Sequence, residues 1–360
     1  MTTSIKNNST TQHKTHWGNA ANMQALQNES IDLVVTSPPY PMIQMWDEIF
    51  AAQDSEVKSA LEKGDGPASF EAMHKVLDKV WSEAYRVLKV GGVACINIGD
   101  ATRTIEKHFR LYSNHARILQ YCISLGFSNL PAILWRKQTN APNKFMGSGM
   151  LPPGAYVTLE HEYILILRKG NKRNFKTAAE KLNRNESAYF WEERNVWFSD
   201  IWDLKGVKQK LSSQKSRDRS AAYPFELAYR LVNMFSVKGD TVLDPFLGTA
   251  TTTLAAIASK RNSIGYEIDS QLEDTISEQI LDPKLPSASQ DFLQKRIARH
   301  LAFVHQRQLL KGEKAFKYES VNYGFRVITR QEVKILFEEL KAVKNVGNME
   351  FEAEYGNFTI

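Results

Sequence analysis

Two short runs in this chain combine residue types that could do chemistry together. Thr36-Ser37-Pro38-Pro39-Tyr40 follows an apolar run, and Asp244-Pro245-Phe246-Leu247-Gly248-Thr249-Ala250-Thr251-Thr252 lies far downstream. Proline has no N–H, so a Pro38-Pro39 corner offers carbonyl acceptors on a stiff backbone with few competing donors. An exocyclic amine on a nucleobase is a poor nucleophile because its lone pair is delocalised into the ring. The Ser37 hydroxyl and the Pro38 carbonyl could hold its two hydrogens and draw the nitrogen toward a tetrahedral geometry that frees the lone pair. Tyr40 gives an aromatic face on which a base flipped out of a duplex could stack. An isolated Ser-Pro-Pro-Tyr is more often only a turn that ends a strand, and its meaning depends on the second run.

That second run reads as a passage from strand to helix, the place where open α/β sheets bind ligands. Gly248 would let the backbone come close to a ligand. N–H groups at the helix start, from Thr249 through Thr251 to Thr252, favour an anionic group. Glu267, about twenty residues on, closes the next strand, where an acid can accept hydrogen bonds from ribose hydroxyls. A helix cap or an ion pair would explain the same acid, and the dinucleotide pattern GxGxxG is absent.

The elements that must position these runs follow from hydrophobic patterning. Ile31 to Thr36 is β-branched and stops at the prolines, which predicts a buried strand. From Ser69 to Lys89 apolar residues recur at helical spacing up to Gly91-Gly92. Further strands are expected at 93–98, 132–135 and 163–167, with a helix over 111–125. Pro224 suits the first turn of a helix carrying Leu227, Leu231 and Phe235. A βαβ unit is expected from strand 241–246, helix 251–260 and strand 263–268. The alternation predicts a doubly wound, largely parallel α/β sheet. Beyond about residue 285 helices are expected over 290–310 and 330–344, in an extension with no assigned chemistry. The domain reading is a disordered tail at 1–15, a catalytic half at 16–170, an inserted region at 171–219, a cofactor half at 220–285 and the extension at 286–360.

With 360 residues, 42% hydrophobic and 24% charged, the chain can bury a large core, which excludes whole-chain disorder. No apolar run is long enough for a membrane span and the N-terminus is polar, so a cytoplasmic location is expected. Cys95 and Cys122 lie in apolar segments outside any Cys/His cluster, and neither a metal site nor a disulfide is expected. The net charge of +6 is unevenly placed: Arg168 to Arg219 holds 14 lysines and arginines against 7 acids. Such an excess suits a polyanionic partner.

The two runs together resemble the amino-methylating DNA methyltransferases, whose catalytic signature is (Asp/Asn/Ser)-Pro-Pro-(Tyr/Phe/Trp) and whose cofactor signature is Asp-Pro-Phe-x-Gly-Ser-Gly-Thr-Thr. The catalytic signature comes first here, as in the β group. The likeness extends to Asn28 to Val35, Glu83 to Lys89, His161 to Leu165 and Ala222-Tyr223-Pro224 through Asp240, covering about residues 16 to 270. It implies the sheet of S-adenosylmethionine-dependent methyltransferases and S-adenosylmethionine as cofactor. It further implies that Asp244, Pro245, Phe246 and Gly248 line the cofactor with Tyr223 nearby, that Glu267 holds its ribose, and that Ser37, Pro38, Pro39 and Tyr40 hold the base. Ala250 stands where the family usually has a second glycine, and Arg219-Ser220 where relatives often have His-Pro. A serine opening the signature is typical of cytosine-N4 enzymes and an aspartate of adenine-N6 enzymes, so N4 is favoured and adenine-N6 is the alternative. Carbon-5 methylation uses a cysteine next to proline, which neither cysteine is.

The resemblance places the basic, aromatic-dotted stretch where the family keeps its target-recognition region. Lys205, Lys208, Lys210, Lys215, Arg217 and Arg219 suit contacts to the phosphates of double-stranded DNA. Its aromatics (Tyr189, Phe190, Trp191, Trp197, Trp202) fit a small core better than base-stacking wedges. A second loop, 138–156, is also within reach of DNA. The expected role is the modification enzyme of a restriction-modification system, a monomer or homodimer whose cognate endonuclease acts independently. The competing readings are a non-catalytic nucleic-acid-binding module on the same fold, and methylation of RNA or protein amines.

Overall fold

The computed structural model describes residues 10–137, 146–147, 149–206 and 223–359. Among the described residues sixteen strands run in chain order, ten of them in one sheet. These are β1 (Thr10–Trp17), β2 (Ile31–Thr36), β3 (Leu88–Ile98), β6 (Phe127–Lys137), β9 (His161–Lys169), β10 (Ile201–Leu204), β11 (Thr241–Asp244), β12 (Asn262–Glu267), β15 (Glu338–Gly347) and β16 (Glu350–Asn357). The others form three small ribbons, pairing β4 (Ala101–Ile105) with β5 (His108–Tyr112), β7 (Met146–Gly147) with β8 (Ala155–Tyr156) and β13 (Tyr318–Glu319) with β14 (Arg326–Val327). Across the sheet the order is β10-β6-β9-β3-β2-β11-β12-β1-β16-β15. The block β3-β2-β11-β12-β1 is parallel throughout, and β9 enters antiparallel between β6 and β3. The expected doubly wound α/β sheet is therefore present, and β2, β3, β11 and β12 all open at one edge.

Helices cover both faces. Gly66–Val87 starts where the Asp65 carboxylate accepts from Ala68 N at 3.0 Å, and lays Met73, Leu77, Val80 and Trp81 on one face of the sheet. Phe225–Phe235 and Thr251–Ala258 bury Leu227, Leu231, Ala255 and Ala256 on the other. The first of these helices ends at Val87. Gly91 and Gly92 lie inside β3, at a register shift against β2, and are not the helix stop expected of them. A Cβ on Gly92 would sit 2.9 Å from the Asp32 carbonyl oxygen, so only glycine lets the strands approach there.

Three further expectations are corrected. The tail does not extend to residue 15: β1 begins at Thr10 and pairs with both β12 and β16. Its inward residues Thr11, His13 and Thr15 are polar, which disguised it. Thr11 Oγ1 lies 2.8 Å from His13 Nε2, His13 Nδ1 lies 2.8 Å from Ser263 Oγ, and Thr11 Oγ1 lies 2.9 Å from Tyr355 Oη, so the buried groups satisfy one another. The helix expected over 330–344 does not form: Arg330–Glu332 is a short 3-10 helix, and from Glu338 the chain is β15, which forms a hairpin with β16. Gly347, Asn348 and Met349 all adopt positive φ at that turn, so Gly347-Asn348 was the missed hairpin signal. The helix expected over 111–125 runs only Asn114–Ser124, because Leu111 and Tyr112 close the β4–β5 ribbon.

The basic segment after residue 170 reaches the core through Phe190, Trp197, Trp202 and Leu204. Helices Ala178–Glu186 and Trp191–Trp197 precede β10, which adds in parallel to β6. Trp202 Nε1 donates to the Trp197 carbonyl oxygen at 3.0 Å and Trp135 Nε1 to that of Leu204 at 2.9 Å. The long helix Leu285–Lys311 docks through Arg296, whose guanidinium donates twice to the Glu193 carboxylate and once to Tyr229 Oη.

Candidate active site at the carboxyl edge of the sheet

The catalytic and cofactor runs meet. β2 ends at Thr36 and β11 at Asp244, on adjacent parallel strands, so Ser37-Pro38-Pro39 and Pro245 to Gly248 face each other across one cleft. Counted to its open mouth, the cleft measures about 1160 Å³. Ser37, Pro38 and Pro39 line one wall, while Tyr223, Asp244, Pro245, Phe246, Gly248, Thr249 and Thr251 line the other. Glu267 completes it from the end of β12.

Asp244 ties the two walls together. Its fully buried carboxylate accepts from Thr36 Oγ1 at 2.6 Å, from Thr252 Oγ1 at 2.6 Å and from Phe246 N at 3.1 Å. Tyr223 Oη bonds Thr252 Oγ1 and donates to Asp244 at 3.4 Å. Burial pushes the Asp244 carboxyl above its ordinary range, and these donors hold it partly back. Asp244 thus touches the cleft but spends its oxygens on architecture, and the buried Thr252 serves it without lining the cleft.

Gly248 sits at φ +55 with open space where a Cβ would be. Its N–H donates to Glu267 Oε2 at 2.8 Å, and Asp269 N donates to Oε1 at 2.9 Å. The carboxylate is thereby locked in place with lone pairs to spare, although burial raises its pKa. Ala250, the departure from the glycine-rich signature, adopts a left-handed backbone at φ +67 and ψ 24. Its fully buried methyl packs in the cluster of Leu247 and Ile257, so it costs about 1 kcal/mol of backbone strain without narrowing the cleft.

Tyr40 does not line this cleft; its hydroxyl faces a polar cluster behind Ser37. Tyr40 Oη donates to Glu162 Oε2 at 2.8 Å and lies 3.2 Å from Ser37 Oγ. Asn97 Nδ2 reaches Tyr40 Oη at 2.8 Å and Glu162 Oε2 at 2.7 Å, and Lys137 pairs with Glu162 Oε1. Burial and the Glu162 charge push the Tyr40 hydroxyl well above its usual range. Asn97, Lys137 and Glu162 were missed as site residues. The available signal was a polar side chain at the site end of an otherwise apolar strand, Asn97 in Val93 to Ile98 and Glu162 before Tyr163 to Leu167. Trp46, Ile49, Ile268 and Leu272, also missed, supply an apolar lining.

Of the expected DNA-contact residues, Lys205 is exposed just past the end of β10. Lys208, Lys210, Lys215, Arg217 and Arg219 lie outside the described residues, as does most of the loop from 138 to 148. Among the described residues no helix is long and apolar enough to cross a membrane.

Comparison with known proteins now gives this cleft its family. A family model described as DNA methylase, of the N6/N4 type, matches residues 31–278. The type II methyltransferase M.MthZI of Methanothermobacter thermautotrophicus is 52% identical over 347 residues, covering 96% of this chain and 95% of its own. Type II methyltransferase M.MjaI of Methanocaldococcus jannaschii is 51% identical over 282 residues, 75% of this chain and 92% of its own. Among solved structures, a DNA modification methylase of Thermus thermophilus, complexed with S-adenosyl-L-methionine, superposes with a TM-score of 0.56 at 33% identity, over 74% of this chain and 94% of that one. With two motifs of one signature facing across one cleft, and likeness along nearly its whole length, the chain belongs to the amino-methylating N6/N4 DNA methyltransferases, site-specific enzymes that use S-adenosylmethionine.

Proposed function

We propose that this methyltransferase modifies the exocyclic N4 of a cytosine flipped out of duplex DNA, as the modification enzyme of a restriction-modification pair. The observation that carries the reading is the cleft itself, in which Ser37 and Pro38 stand opposite the loop 245–248. Ser37 as the opening residue favours cytosine-N4 over adenine-N6. The names of the relatives, type II methyltransferases, favour the restriction-modification role.

The residues of the cleft fit S-adenosylmethionine. Glu267, fixed by two backbone N–H groups, has lone pairs left for ribose hydroxyls. Open space at Gly248 lets the backbone come close, and Phe246, Trp46, Ile49 and Ile268 offer apolar surface for a purine. Thr249 and Thr251 stand at the start of the helix Thr251–Ala258, where N–H groups suit a carboxylate. When bound, the cofactor supplies an electrophilic methyl group on a cationic sulfur.

The chain's own part is orientation. Ser37 Oγ and the Pro38 carbonyl accept the two amine hydrogens, which aims the freed lone pair into the cleft. The Tyr40 ring, anchored through its hydroxyl, supplies a stacking face beside them. Lys205 and the basic run to Arg219 contact phosphates. Lys205 follows β10, which runs parallel to β6, and Tyr223 lines the cleft.

Incubating the protein with labelled cofactor and duplex DNA, RNA or protein, then sequencing modified bases in DNA from cells that express it, tests the reading. N4-methylcytosine at one short sequence is expected. N6-methyladenine would refute the cytosine assignment, and label in RNA or protein alone would refute the DNA role of the proposed residues.

A further inference from the structure

Glu162, Lys137 and Asn97 form a polar cluster next to Ser37 to which the family signature assigns nothing. A carboxylate can only accept, so Tyr40 Oη must spend its single proton on Glu162 Oε2 at 2.8 Å. The Asn97 amide is oriented by the same charge, because turning it would set Oδ1 against the carboxylate. Its Nδ2 therefore donates to Glu162, at 2.7 Å, and to Tyr40 Oη, at 2.8 Å, with a longer contact of 3.4 Å to Ser37 Oγ. Tyr40 Oη is left with one lone pair, and Ser37 Oγ lies 3.2 Å away with a proton to give.

We infer that Glu162 is a positioning residue that imposes a one-way hydrogen-bond chain, Ser37 to Tyr40 to Glu162, which turns a Ser37 lone pair toward the amine and gives the amine's surplus proton a way out. The inference rests on the amine-methylation reading above. After methyl transfer the nitrogen holds one proton too many. That proton passes to Ser37 Oγ as the Ser37 proton moves to Tyr40 Oη and the Tyr40 proton to Glu162 Oε2. One N–H bond breaks, one carboxyl O–H bond forms, and Ser37 and Tyr40 end as they began. Serine alone could not keep the proton, and this chain connects it to a carboxylate that can. Among the described residues, Glu162 is paired with Lys137 from β6 and Tyr40 from the loop after β2. Asn97 from β3 is the neutral partner.

The test uses Glu162→Gln, Tyr40→Phe and the double variant in single-turnover methylation of duplex DNA, with cofactor affinity by calorimetry as the check on folding. Glu162→Gln keeps the shape and one accepting oxygen but removes the carboxylate that can take the proton; Tyr40→Phe keeps the stacking ring but cuts the chain. Each is expected to slow transfer about 10²-fold. The double variant should be no slower than either single, because the three groups act as a unit. A cofactor-free readout compares binding of duplexes with and without the target amine: the wild type should prefer the amine, and Glu162→Gln should lose the preference. A Glu162→Gln rate within threefold of wild type, or multiplying losses in the double variant, overturns the inference. If Glu162→Gln fails to fold, Tyr40→Phe decides alone, and a full rate there refutes the chain. Wild-type protein that methylates no DNA amine would instead overturn the function proposed above.

Discussion

Replacing Asp244 should damage stability and the cleft together, by an amount the hydrogen bonds allow us to work out. Its three closest donors reach it at 2.6, 2.6 and 3.1 Å from strand β2, the helix Thr251–Ala258 and the cofactor loop. A hydrogen bond to a charged group contributes about 1.5–3 kcal/mol. Asp244→Ala leaves these donors buried, but Thr252 Oγ1 has a second acceptor in the Val35 carbonyl at 3.3 Å, and losing a buried charge returns some solvation energy. The net loss expected is about 3–5 kcal/mol. Asp244→Asn keeps one accepting oxygen and should cost about half as much, about 1–3 kcal/mol. Because Thr36 directly precedes Ser37 and Phe246 borders the cleft, both variants should also weaken cofactor binding, the alanine by at least about tenfold, or 1.4 kcal/mol. The pH dependence has a definite sign. The folded pKa lies above the ordinary value of 3.8, so the folded chain binds this proton more tightly, and stability falls as pH rises through the window above 3.8. The margin of the wild type over Asp244→Asn should therefore be widest in acid and narrow as pH rises. Urea titrations followed by circular dichroism at several pH values measure both, with calorimetry for the cofactor. An Asp244→Ala protein within about 0.5 kcal/mol of wild type would refute the reasoning, since that is the range of surface substitutions away from any buried network.

Glu267→Ala should weaken cofactor binding by about tenfold or more, since it also frees the Gly248 and Asp269 N–H groups; unchanged affinity by calorimetry would contradict the ribose assignment. Ser37→Ala and Tyr40→Ala should each lower methyl transfer at least about 10²-fold while cofactor affinity stays near wild type, because neither is expected to contact the cofactor; a full rate for Tyr40→Ala on duplex DNA would remove the stacking role. Arg296→Ala should cost about 3–5 kcal/mol, leaving the Glu193 carboxylate and Tyr229 Oη without their buried cation, and a loss under about 1 kcal/mol in urea would show that the long helix does not depend on it. DNA affinity should fall steeply with added salt, and less steeply after Lys205→Ala and Lys208→Ala; an unchanged slope would remove those lysines from the phosphate contacts.

The parts of the fold legible in the sequence were those whose patterning is local. Ile31 to Thr36 announced β2 by β-branching and a proline stop, and Thr241 to Glu267 announced a βαβ unit, because a strand buried on both faces and a helix with one apolar face each leave a periodic trace. β1 left none, since its inward residues are Thr11, His13 and Thr15, and polar groups qualify as core only when distant partners such as Ser263 and Tyr355 satisfy them. β15 was misread for a related reason: its ladder to β16 is long but only Leu340 is deeply buried, so little alternation marks it as strand.

The sequence by itself determined which chemistry was available: the acceptors of Ser37 and Pro38, the open backbone of Gly248, the strand-end acid at Glu267. Tertiary structure decided where those groups are spent. Asp244, named from its motif as a cofactor contact, turned out to spend its carboxylate joining Thr36 to Thr252. Tyr40 turned out to be tied by its hydroxyl to Glu162, more than a hundred residues away. A motif records residue types along the chain, whereas a hydrogen bond requires its two atoms within about 3 Å in space. For residues this far apart in sequence, only the pairing of strands sets that distance.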